Sequence, residues 1–359
     1  MLYTKIIKPI LFKLDPEKIH NTTISLGWFL GSNFLTRILT SKIFNYKNKK
    51  LNTQVLGIKF ENPIGLSAGF DKDANLTQIL PNVGFGFEEI GSITGEKCEG
   101  NPKPRLFRLP DEGAIIVNYG LCNDGSEKIA NKLKKKKFKF PIGISIARAN
   151  NKGIVFDVNK GIDDYIKAFR NLNNLGDYIT INISCPNTPD NLSFCEIKNF
   201  ERLINEFSKE KITKPIFIKL KPDFSKEEID SFLKVCIKYN FIKGFVVSNL
   251  TVDRARIKNI ENLKGGLSGT PTKKKSDELL KYLYRKTKGK YILIGVGGVF
   301  NAEDAYEKIK NGASLVQLIT GMIYNGPGLI KKINKGLVKL LEKDGFSNIN
   351  QAIGYNLKQ

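Results

Sequence analysis

Short apolar runs recur along most of the chain, and each closes on a polar or glycine-rich tip. The candidate strands are Pro63–Ser67, Glu89–Thr94, Ile142–Ile146, Tyr178–Ile183, Ile216–Leu220, Phe245–Ser248, Ile292–Val296 and Ser314–Ile319. Rich in Ile and Val, they fit strands of a parallel sheet covered by helices. Between them lie stretches with helical periodicity: Asp163–Leu175, Ile197–Ser208, Lys226–Tyr239, Ser276–Lys288 and Ala302–Asn311. Ser225 and Asn301 stand where helix N-caps belong. Eight strand–tip–helix units in about 300 residues predict an α/β fold, a closed (β/α)8 TIM barrel. An open doubly wound sheet is the competitor, lowered by the lack of a GxGxxG after the first strand.

The N-terminal pattern is different. Ile6–Leu14 carries Ile6, Ile7, Ile10, Leu11 and Leu14 at helical spacing, and Ile24–Leu39 carries Leu26, Trp28, Phe29, Leu30, Phe34, Leu35 and Ile38. Two amphipathic helices flanked by lysines suit a segment lying on a membrane surface. They equally suit a helical cap packed on the main domain. No run reaches the ~20 apolar residues that cross a bilayer, and no signal-peptide cleavage site is expected. The expected organisation is an amphipathic helical segment over 1–45, a barrel over 46–345 and a tail over 346–359.

A net charge of +23 in 359 residues raises the question of a nucleic-acid or anionic-membrane partner. The lysines form no single stripe with interleaved aromatics, so no nucleic-acid partner is expected. The densest run, Lys132–Lys139, looks like the solvated end of a helix, and a weak pull toward anionic lipid remains. The five cysteines have no CxxC spacing, and an odd count does not suit a disulfide framework. No metal site is expected. His20, the single histidine, excludes a Ser-His-Asp triad.

In a barrel, chemistry sits at the C-terminal strand ends. There Asn182-Ile183-Ser184-Cys185-Pro186-Asn187 delivers a thiol and two carboxamides to one point. Gly295-Val296-Gly297-Gly298 and Thr320-Gly321 close the two strands whose loops commonly bind phosphate, and Gly265-Gly266-Leu267-Ser268-Gly269 would close the same pocket. With no nucleotide-fold motif, a flavin mononucleotide is the natural owner of that phosphate. Lys219, inside an apolar run, would stabilise negative charge near N1 of a reduced flavin, and Lys72 would pair with a substrate carboxylate. Lys72 equally suits a helix surface. Asn182, Asn187 and Asn249 present donors and acceptors together, as a pyrimidine-like ring requires. Cys185 is the candidate base, its thiol activated by the positive barrel mouth. Cys98, Cys195 and Cys236 are expected to be inert.

These motifs, with Ala68-Gly69-Phe70-Asp71-Lys72-Asp73 and Lys103-Pro104-Arg105-Leu106-Phe107-Arg108-Leu109, resemble those of dihydroorotate dehydrogenases. Leu14-Asp15-Pro16-Glu17-Lys18-Ile19-His20 resembles the membrane-associated, quinone-using class. The resemblance implies oxidation of (S)-dihydroorotate to orotate in pyrimidine synthesis, with FMN as hydride acceptor and a quinone as electron acceptor. It implies peripheral association with the cytoplasmic face of the cell membrane. By position, Ala68, Gly69, Lys72, Ser92, Ser145, Asn182, Lys219, Ser248, Gly269, Gly298, Ile319 and Thr320 match FMN-binding positions. Lys72, Asn118, Tyr119, Gly120, Leu121, Asn187, Asn249 and Leu250 match substrate positions. Cys185 matches the catalytic base, and His20 and Arg108 flank the quinone route. Five departures stand out: Cys185 where this class carries serine, Val117 where a substrate asparagine is usual, Leu250 for threonine, Ser145 for asparagine and Thr270 for arginine. They leave open a related FMN barrel acting on another reduced pyrimidine or using another acceptor. A flavoprotein reducing tRNA uridines and a decayed, non-enzymatic barrel are more distant alternatives.

Overall fold

A computed structural model describes residues 2–151, 157–184, 193–255, 257–258 and 260–358. Eight parallel strands close on themselves: β1 (Ile64–Leu66), β2 (Phe87–Ile93), β3 (Ile142–Ile146), β4 (Tyr178–Asn182), β5 (Ile216–Leu220), β6 (Ile242–Val247), β7 (Ile292–Val296) and β8 (Leu315–Leu318). β8 pairs with β1 through Val316–Ile64, which closes the ring. Each candidate strand falls on one of these eight. They read as largely apolar runs because the outward side chains pack under helices and the inward ones fill the barrel.

The filling is specific. Phe87 and Tyr178 enter the barrel where a Cβ on Gly65 or Gly143 would lie 2.4 Å and 2.1 Å from their rings. Below them a hairpin, Thr53–Val55 with Ile58–Phe60, plugs the N-terminal end, its Val55 and Phe60 packing on Phe87, Phe217 and Leu315. The helices around the barrel include Val158–Leu172, Ile197–Phe207, Lys226–Cys236, Lys273–Thr287 and Ala302–Lys310. Ser225 and Asn301 cap two of them, accepting from Glu228 N and Asp304 N. Residues 346–358 fold back on the barrel, burying Ile349 and Ala352.

Two further pieces sit above the mouth. One is a three-stranded antiparallel roof made of Leu106–Leu109, Ala114–Val117 and Gly266–Gly269. The other is the N-terminal region. Its second apolar stretch is two helices rather than one: α1 (Pro16–Ser32) ends at Asn33, whose extended backbone and side chain start α2 (Phe34–Phe44). The two faces of this region differ: one packs on the main domain as a helical cap, and the other leaves apolar side chains exposed. Inward, α1 packs through Ile24 and Leu30, and through Gly27 and Gly31, where a Cβ would lie 2.5 Å from Leu76 Cδ2 and 3.2 Å from Ile79 N. Outward, Leu26, Trp28, Phe29, Phe34, Leu35, Leu39 and Ile43 are exposed. Among the described residues no helix is long and apolar enough to cross a membrane.

Candidate active site

The barrel mouth, the roof and α1 enclose a cavity. Ala68 and Gly69 follow β1; Ser92 lies on β2, Asn182 on β4 and Lys219 on β5; Asn249 and Leu250 follow β6. The roof contributes Leu106, Ile115, Val117 and Ser268, the 119–122 turn contributes Tyr119, Gly120, Leu121 and Cys122, and α1 contributes His20. A second cavity shares Lys219, Asn249, Leu250, Ser268 and Ile319 and runs on to Ser248, Gly297, Gly298 and Thr320.

A continuous polar network forms the floor. Asn182 Nδ2 donates to Ser92 Oγ at 2.9 Å, and the Ser92 and Ser145 hydroxyls share a 2.7 Å bond. Asn182 Oδ1 accepts from Ser184 N and, at 3.3 Å, from Asn249 Nδ2, which also reaches Ser184 O at 3.0 Å. Lys219 is buried, with Nζ 3.4 Å from Ser67 Oγ and 4.0 Å from Glu89 Oε1. The other oxygen of Glu89 accepts from Thr180 Oγ1 (3.0 Å), Gln317 Nε2 (3.1 Å) and Tyr178 OH (3.2 Å) inside the barrel. Three neutral donors and a neighbouring ammonium make a carboxylate's environment. Sequence reading missed Glu89; its signal was two acids, Glu88-Glu89, inside a strand otherwise apolar.

Lys72 is held differently. Its Nζ lies 3.2 Å from His20 Nε2 and 3.8 Å from the centroid of the Tyr119 ring. Burial pushes the Lys72 ammonium down to about 8, against the pull of Asp73 and Asp71. Burial and the Lys72 charge push His20 down to about 2, so the imidazole is neutral and its Nε2 accepts from Lys72. Tyr119 OH is buried without a hydrogen-bond partner.

Above Lys72, Glu17 on α1 is buried against Arg105, with Arg105 Nη2 donating at 2.9 Å and Nε at 3.2 Å. Burial opposes the Glu17 charge, but Arg105 and Lys103 outweigh it and hold the carboxyl below its usual range. Arg108 donates to the carbonyls of Leu11 and Leu14, beneath the Phe12 ring, and does not line the cavity.

Of the sequence candidates, Ala68, Gly69, Lys72, Ser92, Asn182, Lys219, Ile319, Tyr119, Gly120, Leu121, Asn249, Leu250 and His20 meet in the first cavity. Ser248, Gly298 and Thr320 line the second. Ser145 sits one hydrogen bond below, and Gly269 is a roof residue packed on Thr320. Asn118 is turned to Asn101, whose Nδ2 donates to it at 2.9 Å, and does not line the cavity. Cys122, which sequence reading left unassigned, does line it. Cys185 and Asn187 lie outside the described residues. Burial pushes the thiols of Cys98, Cys195 and Cys236 up, as befits inert cysteines. Among the described residues no cluster could hold a metal ion.

This donor set fits an FMN. At Gly69 (φ +114°) an added Cβ would meet only Ile319 Cδ1, at 3.7 Å, so the backbone faces open cavity there. At the far end Gly297 (φ +105°) and Gly298 (φ +69°) turn the chain beside the paired Ser268 and Thr320 hydroxyls, suiting a phosphate. Between them lie the Lys219 ammonium and the Asn182 carboxamide, suiting the polar edge of a flavin ring.

Comparison with known proteins agrees with this geometry. A sequence profile described as Dihydroorotate dehydrogenase matches residues 50–341. The dihydroorotate dehydrogenase (quinone) of Sulfurimonas denitrificans is 40% identical across all of both chains, and that of Christiangramia forsetii is 41% identical over 95% of this chain and 99% of its own. Among solved structures, the DHODH of Eimeria tenella in its ligand-free form superposes with a TM-score of 0.84 at 27% identity, covering 96% of this chain and all of that one. Its complex with ferulenol gives 0.83, covering 96% of each chain. The chain belongs to the dihydroorotate dehydrogenase family.

Proposed function

We propose that this protein oxidises (S)-dihydroorotate to orotate and passes the electrons through FMN to a quinone at a membrane surface. The observation that carries the reading is Lys72: a buried ammonium whose partners are an imidazole nitrogen and an aromatic face, at the edge of a carboxamide-lined cavity. Such a cation is poised for an anion.

FMN, when bound, supplies hydride-accepting chemistry for C6 of the substrate. The rest falls to the chain. Lys72 binds the substrate carboxylate. Asn249, with Asn187, orients the ring through its C=O and N–H groups. Cys185 Sγ takes the proton from C5, which is alpha to a carbonyl and so removable by a positioned base. Lys219, with Glu89 behind it, favours negative charge at the flavin edge. The roof excludes water. His20, Leu106 and Ile323 form the side facing the N-terminal helices, where a quinone would enter, and the exposed apolar face of α1 and α2 would rest on the cytoplasmic side of the membrane. The Arg108 guanidinium holds that entrance in shape through Leu11 and Leu14.

Dihydroorotate-dependent reduction of a ubiquinone analogue by the FMN-loaded protein tests the assignment; a yellow protein inert to dihydroorotate would reject it. Two observations favour a second reading, a different reduced pyrimidine as substrate: Asn118 faces Asn101, and apolar Leu250 lines the cavity. Flavin bleaching by another dihydropyrimidine, and not by dihydroorotate, would establish it.

A further inference from the structure

Outside the active site, a cavity of about 280 Å³ lies between α2 and the residue 77–82 segment. Its lining holds three cations, Arg37, Lys42 and Lys139, and no carboxylate. None of the three makes an ion pair with a described residue. Arg37 Nη1 approaches Gln78 Oε1 at 3.4 Å, while Arg37 Nε is buried with no hydrogen-bond partner at all. With Nε buried, the Arg37 guanidinium meets the cavity through its Nη groups, which carry the charge and the donors a phosphate oxygen needs.

The surroundings say which phosphate. Phe34 and Ile38 form the rim on the same face of α2, and the exposed side chains of Leu35, Leu39 and Ile43 continue it. On the other side Gln78 Nε2 donates to Lys137 O at 3.2 Å, which brings the lysine run to the cavity edge. That run is not simply a solvated helix end. Lys132 and Lys136 turn inward to the carbonyls of Asp73 and Ala74, while Lys135, Lys137 and Lys139 remain exposed beside the apolar helices. A free phosphate would have no use for the apolar rim.

We propose that this cleft binds the phosphate of an anionic membrane phospholipid, with the Arg37 guanidinium as the central donor, Lys42 and Lys139 as the flanking charges, and Phe34 and Ile38 against the acyl chains. The proposal rests on the membrane-surface reading above and adds a headgroup preference to it.

The test is co-sedimentation of the FMN-loaded full chain with vesicles of phosphatidylcholine alone and of phosphatidylcholine doped with phosphatidylglycerol. Wild type should prefer the doped vesicles. Arg37→Gln combined with Lys139→Gln should weaken that binding roughly tenfold or more, from about fivefold per cation, and leave binding to pure phosphatidylcholine unchanged. Arg37→Lys should fall between. Lys59→Gln, on the hairpin at the opposite end of the barrel, should have little effect. Equal loss from Lys59→Gln would reduce the effect to overall charge and overturn the site. Tight binding to both vesicles, unaltered by the double variant, would remove the headgroup site while sparing the membrane reading. Failure of wild type to bind either vesicle would remove both. A thermal shift with inorganic phosphate that needs Arg37, without any vesicle preference, would make the cleft a soluble-anion site and overturn the lipid assignment. Retained FMN and dye-linked turnover would show that each variant is folded.

Discussion

Lys72 shows how one buried charge sets a pH dependence. Its ammonium is pushed down to about 8, and it is the group proposed above to receive the substrate carboxylate. Below that pH the free enzyme carries the cation; above it the cation is lost. KM for dihydroorotate should therefore rise above pH 8, while kcat at saturation changes less, because bound carboxylate favours the charged form. A flat KM from pH 7 to 9 would place the carboxylate elsewhere. Glu89 makes a different prediction. Glu89→Gln removes a negative charge 4.0 Å from Lys219 while keeping acceptor capacity for Thr180 and Tyr178. The site becomes more positive, so the flavin midpoint potential should rise, by about 30 mV for each ~1.4 kcal/mol. An unchanged potential would remove Glu89 from flavin tuning. For Cys185, substitution by Ala should leave FMN bound and slow reduction by dihydroorotate roughly 10²–10⁴-fold. Cys185→Ser tests whether the hydroxyl typical of this class serves on this scaffold. A reduction rate unaffected by Cys185→Ala would exclude it as the base.

At the scale of elements, α1 has a specific seat. A Cβ on Gly31 would lie 3.2 Å from Ile79 N and 3.3 Å from Gln78 Cβ, and Glu17 is clamped by Arg105. Gly31→Leu should lift the helix off that seat. Glu17→Ala should loosen it too, by leaving Arg105 without its carboxylate, a cost of up to about 3 kcal/mol. Both variants should lose turnover with ubiquinone more than turnover with a soluble dye, if α1 builds the quinone entrance. Equal loss with both acceptors would assign α1 to barrel stability instead. The same elements show what was legible in the chain. The eight barrel strands were, because burial on both faces writes itself as short runs rich in Ile and Val. The break at Asn33 was not, because apolar periodicity carries on from α1 into α2 while the backbone turns. The roof strands Leu106–Leu109 and Ala114–Val117 were missed because they pair antiparallel and stand outside the strand–tip–helix repeat. Gly265–Gly269 was legible as pocket-closing, though most of it is a strand.

At the scale of the whole molecule, the site is assembled from parts far apart in sequence. The strand-end rule located Lys219, Asn182 and Asn249, because topology alone sends those tips to one place. It could not locate His20 against Lys72, nor Cys122 in the cavity, since those depend on how a helix and a turn dock. Nor could it see that the lysine run lies beside the apolar helices, which changes the meaning of a charge of +23 from composition to position.

The central claim is that substrate, flavin and quinone meet in this cavity. The most direct measurement is anaerobic absorption spectroscopy of the purified yellow protein, with dihydroorotate added first and a ubiquinone analogue second. The flavin bands should bleach with one equivalent of dihydroorotate, with orotate formed, and return on adding the quinone. Bands that persist in excess dihydroorotate, or that bleach and do not return with quinone, would contradict it.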